Sequence, residues 1–71
     1  MEYTYVKDFI RPRLYKIFDS YNDMLWTWQS NNSLINEVNE IKDYAHHSLC
    51  CSTKLIDSVV SDLIAEYRDA K

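Results

Sequence analysis

The residues of this chain best suited to chemistry sit together in the run His46-His47-Ser48-Leu49-Cys50-Cys51. Imidazole and thiolate are good zinc ligands. On a helix, spacing of four residues sets His46 beside Cys50 and His47 beside Cys51, with Asp43 one turn before His47. A structural zinc site, however, draws four ligands from two separated knuckles, and no histidine or cysteine occurs elsewhere in the chain. Read instead as a Cys–His nucleophile, the run lacks an orienting third group, an oxyanion hole and a cleft. His46, His47, Cys50 and Cys51 are therefore only weak metal candidates. The expectation is no cofactor, no catalytic residue and no enzymatic activity. The plainer reading is a polar helix end, facing mainly outward, that carries two small thiols.

Two charged groups invite chemistry of other kinds. Glu37, Glu40 and Asp43 lie along one face with Lys42 between them, which is the pattern of a solvated helix surface rather than an acid–base site. Lys7, Arg11, Arg13 and Lys16 are interleaved with Tyr5, Phe9 and Tyr15, so phosphates could meet the cations and bases could stack on the rings. Against this, helical phase sends Arg13 and Lys16 to a different side from Lys7 and Arg11. The charge is +2 over residues 1–16 and −5 over residues 17–71, for a net −3. Nucleic-acid affinity rests largely on counterion release by Lys and Arg, which an acidic body opposes. Nucleic-acid binding through these four cations is thus the alternative reading, not the leading one.

The elements that must position these groups are helices. Glycine is absent and Pro12 is the single proline, so the tight glycine turns of a small β protein have no source. An apolar fraction of 46% is too high for a disordered chain. Seventy-one residues make one domain, near the lower size limit for independent folding. Cys50 and Cys51 are neighbours, so they form no disulfide framework and suit a reducing compartment. With no signal-like apolar run near the N-terminus and no stretch long enough to cross a bilayer, the chain reads as cytoplasmic and free of the membrane.

Ile10, Leu14, Ile17, Tyr21, Met24 and Trp28 recur at alternating steps of four and three, predicting a first helix over about 4–29 with Thr4 as its N-cap. Pro12 removes a backbone donor and predicts a kink near Asp8–Pro12 rather than a separate short segment. Ser30-Asn31-Asn32-Ser33 marks a break, and Ser33 is the expected cap of a second helix over 33–50 with the stripe Leu34, Val38, Ile41, Ala45 and Leu49. A weaker break at Cys51–Thr53 precedes a third helix over 53–70, with Ile56, Val59, Val60, Leu63 and Tyr67 on its stripe. The expected fold is all-α, a small three-helix bundle over residues 1–71 with a Pro12-kinked first helix. The alternative is one long helical hairpin that dimerises into a bundle.

Once the first stripe is assigned, Tyr15, Phe18, Leu25 and Trp26 remain as an apolar surplus on an adjoining flank. Large aromatics are enriched at protein interfaces because they offer wide contact at low side-chain entropy. The leading expectation is a non-enzymatic protein-binding module, a small inhibitor, adaptor or antitoxin-like regulator. Arg11, Tyr15, Phe18, Asn22, Leu25 and Trp26 form the expected contact face. The partner is another protein, and a homodimer is allowed by the same reasoning.

Overall fold

A computed structural model describes residues 2–21 and 30–70. Within them the chain forms three helices, α1 (Glu2–Ser20), α2 (Asn32–Leu49) and α3 (Thr53–Ala70), packed against one another as a small three-helix bundle. The directions follow from the cross-helix contacts. Phe9 meets Tyr44 and Tyr21 meets Glu37, so α2 runs antiparallel to α1. Tyr3 meets Asp62 and Lys7 meets Glu66, so α3 runs parallel to α1.

The helix α1 starts two residues earlier than expected and passes through Pro12 without interruption, leaving Thr4 inside the helix rather than at its cap. Pro12 cannot donate to the carbonyl of Asp8, a loss that costs an isolated helix about 3 kcal/mol. Packing offsets it, because Val6, Ile10, Leu14 and Phe18 are buried on both sides of the proline. Arg13 Nη1 separately donates to the Phe9 carbonyl at 2.8 Å, one residue on from the acceptor that Pro12 leaves without its usual donor.

That buried row keeps a step of four throughout, whereas the expected stripe passed from Leu14 to Ile17 and Tyr21. Both continuations are helical, and the packing decides between them. Phe18 is 0% exposed and lies edge-on to Tyr67 of α3, while Ile17 and Tyr21 are half-buried at the margin of the core. The helix ends at Ser20, where the Tyr21 amide donates back to the Phe18 carbonyl at 3.1 Å in a tightened last turn. Met24 and Trp28, the rest of the expected stripe, lie outside the described residues.

The second helix is capped by Asn31, not Ser33. Its side-chain oxygen accepts the Leu34 amide at 3.1 Å from an extended backbone, and Ser33 falls within the first turn. Leu34, Val38 and Ala45 are buried, with Ile41 and Leu49 packed at the edge. The helix ends at Cys50 in the left-handed conformation, φ 53° and ψ 35°. Glycine is the usual residue there, since it has no Cβ to clash. Ser52 then caps α3 by accepting the Leu55 amide at 3.2 Å. The chain therefore breaks at 50–52, and α2 and α3 are separate helices.

The third helix supplies the largest share of the core, with Ile56, Val59, Val60, Leu63, Ile64 and Tyr67 all buried. Cys51 is 4% exposed and joins them, while Cys50 faces solvent. Among the described residues no polar or charged side chain is fully buried. None of the helices is long and apolar enough to cross a membrane.

Candidate interaction surface

The two sides of α1 are engaged differently. On the α3 side, Tyr3 donates its hydroxyl to Asp62, Lys7 pairs with Glu66, and Tyr67 donates to Asp19. Hydrogen bonding to Asp62 raises the Tyr3 pKa, and hydrogen bonding to Glu66 raises that of Lys7. Tyr15 packs its ring against Tyr67 at 5.0 Å in an edge-to-face arrangement, and Arg11 pairs with Asp8 at 3.1 Å within its own helix. This side of α1 is a seam inside the protein.

The expected contact face divides accordingly. Phe18 belongs to the core and has no surface to offer a partner, because the ridge of α1 continues from Leu14 in a step of four. Tyr15 and Arg11 are half-buried in the contacts just described. Asn22, Leu25 and Trp26 lie outside the described residues.

The basic cluster also separates as its helical phase requires. Lys7 and Arg11 face carboxylates of this chain, whereas no carboxylate of the described residues pairs with Arg13, which reaches Tyr44 of α2, or with the exposed Lys16. Two cations, rather than four, remain for an external anion. That lowers both the strength and the salt dependence available to a nucleic-acid contact.

At the His–Cys run, Cys50 lies beyond the last helical residue, so the expected pairing of His46 with Cys50 and His47 with Cys51 is broken by the turn. His46 Nδ1 lies 2.7 Å from the Cys51 carbonyl, and His47 Nδ1 lies 2.8 Å from the Asp43 carbonyl. Each ring thus has its Nδ1 engaged by a backbone carbonyl around the end of α2. Among the described residues no set of three His, Cys, Asp or Glu side chains converges as a metal site. Of the three acids of α2, Glu37 is engaged locally. Glu37 accepts the Tyr21 hydroxyl, which raises the pKa of that phenol. Lys42 crosses to Asp57 of α3 at 3.3 Å, over a shallow groove of about 220 Å³.

What sequence reasoning passed over lies on the α2 side of α1. Tyr5 and Tyr44 are the exposed large apolar side chains among the described residues, at 65% and 53%. Between them Phe9 lies 5.7 Å from the Tyr44 ring, and the Arg13 guanidinium covers Phe9 at 4.1 Å and Tyr44 at 5.5 Å. Tyr5, Phe9 and Arg13 stand one turn apart on α1, so the helix itself lines them up. The signal was present as aromatic interleaving of the basic cluster, but Tyr44 reaches this patch only through tertiary packing. No protein-family model, curated protein or solved structure matches the chain.

Proposed function

We propose that this chain is a non-enzymatic protein-binding module, a small inhibitor, adaptor or antitoxin-like regulator, acting through the outward face of α1 and the adjoining edge of α2. The observation that carries the reading is the exposure of Tyr5 and Tyr44 on either side of the Phe9–Arg13 stack. Single exposed apolar residues are ordinary on protein surfaces. Tyr5, Phe9, Arg13 and Tyr44 adjoin one another rather than being scattered, and Tyr and Arg are among the residue types that carry binding energy at interfaces. Arg13 already holds a bond to the Phe9 carbonyl before any partner arrives, which lowers the side-chain entropy to be lost on docking. Two free thiols, Cys50 and Cys51, suit a reducing compartment, which makes a cytoplasmic location part of the same proposal.

Photo-crosslinking tests the reading. A photoreactive phenylalanine analogue in place of Tyr44 is expected to trap a discrete protein adduct in cell extract. The same analogue in place of Ser58, on the exposed side of α3, should not. Tyr5→Ala combined with Arg13→Ala should abolish the adduct while helicity is retained. Identical adducts from both positions, or an adduct indifferent to the substitutions, would remove this face from consideration.

A further inference from the structure

Glu2, Tyr5, Phe9, Pro12 and Lys16 follow one another along α1 at steps of three, four, three and four, which places them on one stripe. All are exposed except Phe9, which is half-buried, and Arg13 adjoins them. This stripe lies outside the core row of Val6, Ile10, Leu14 and Phe18. Its chemistry is ordered, with an acid at the N-terminal end, an aromatic at the centre and a base at the C-terminal end.

A stripe ordered in this way complements itself when reversed. Two copies of α1 laid antiparallel about a twofold axis at Phe9 set Phe9 against Phe9. The same axis brings Tyr5 to Arg13 of the other copy and Glu2 to Lys16 of the other copy, since the members of each pair lie equally far from Phe9 in sequence. We propose that the protein forms a twofold homodimer through this antiparallel α1–α1 contact. The proposal rests on the protein-binding reading of the same face and names its occupant as a second copy of this chain.

Charge complementarity is what selects that occupant. Glu2 and Lys16 have no ion-pair partner among the described residues, and the twofold axis supplies one to each, twice over. A parallel pairing would oppose Glu2 to Glu2 and Lys16 to Lys16, which is repulsive at both ends. Arg13 is exposed beside Phe9 and Tyr44, and the axis brings the Tyr5 ring of the second copy to it, a cation–π contact. Antiparallel helices also place opposite ends of their dipoles side by side. The stripe is about 21 Å long at 1.5 Å per residue. A contact along one such stripe is smaller than a standard interface of about 1,600 Å², so the dimer is weak, with a dissociation constant of about 10–100 µM.

Sedimentation equilibrium of the whole chain at low salt, from low micromolar to millimolar concentration, tests this. Wild type should fit a monomer–dimer equilibrium. Glu2→Lys and Lys16→Glu each turn two attractive pairs into two repulsive ones and should each raise the dissociation constant about tenfold. The combined Glu2→Lys/Lys16→Glu variant restores opposite charges across the axis and should return to within about threefold of wild type. These are exposed positions, and circular dichroism checks that each variant stays folded. Three results would overturn the proposal: a monomeric wild type throughout, single reversals without effect, or a double variant as weak as the singles. If wild type is monomeric while the Tyr44 adduct with another protein persists, the second copy is excluded and the protein-binding reading stands. If both measurements fail, both readings fall.

Discussion

The Tyr67 hydroxyl of α3 donates to the Asp19 carboxylate near the end of α1, while the ring of the same tyrosine lies edge-on to Phe18 at 5.3 Å and to Tyr15 at 5.0 Å. One side chain thus closes the α1–α3 seam with both its apolar body and its polar tip. Tyr67→Phe keeps the ring and leaves the partly exposed Asp19 to water, so it should cost about 1–2 kcal/mol. Tyr67→Ala also empties the aromatic cluster and should cost about 3–5 kcal/mol. Urea unfolding of the two variants separates the contributions, and equal losses would mean that the ring contributes little.

The start of α2 gives a second contrast. Asn31→Ala removes the acceptor of the Leu34 amide and should destabilise the protein by about 1 kcal/mol. Ser33→Ala, inside the first turn, should stay within about 0.5 kcal/mol of wild type. Thermal melts that rank the pair in the opposite order would assign the cap to Ser33.

Cys50 and Cys51 should behave as different residues. Cys50 is exposed with φ at 53°, so Cys50→Gly relieves the left-handed strain and should stabilise the fold by about 0.5–1 kcal/mol. Cys51 is buried, so a thiol reagent should label Cys50 at the rate of a free thiol and Cys51 only through opening of the structure. Peptide mapping after brief alkylation reads this directly, and equal labelling of the two would contradict it.

Stability should fall on the alkaline side. Tyr3 and Tyr21 are raised above 10.0 by their hydrogen bonds to Asp62 and Glu37, and Lys7 is raised above 10.5 by its hydrogen bond to Glu66. In each case the folded state holds its proton more tightly than the unfolded chain. The stabilisation is therefore complete below the unfolded pKa and is lost as pH rises through the higher folded value. Between about pH 9 and pH 11, denaturation midpoints should drop for wild type and drop less for Tyr3→Phe/Tyr21→Phe, which lacks both phenols. A midpoint that rises over the same range would reverse the sign of the argument.

These contrasts mark where the sequence was legible and where it was not. The helical class, a second break within a residue of its place and the apolar stripe of α3 could be read from missing glycine, turn residues and spacing, the break being expected at Cys51–Thr53 and found at 50–52. The phase of α1 could not. After Leu14 both Ile17 and Phe18 continue a helical stripe, and only the position of Tyr67 on another helix decides that Phe18 goes inside. Asn31 and Ser33 are both good caps by residue type, and the backbone chooses between them. The aromatic patch was half visible. Tyr5, Phe9 and Arg13 share a face by spacing, whereas Tyr44 joins them through the antiparallel packing of α2.

The parallel alignment of α1 with α3 has a kinetic consequence. Helices α2 and α3 are joined only by Cys50, Cys51 and Ser52, so their contacts close short loops. The ties of α1 to α3 span far more chain, with Tyr3 and Asp62 separated by 59 residues and Asp19 and Tyr67 by 48. Long closures cost more chain entropy before any contact compensates for it. The α1–α3 seam is therefore expected to close last, after the contacts each of these helices makes with α2. Weakening that seam should then mainly speed unfolding, so the lifetime of the native protein is set by how long α1 and α3 stay joined.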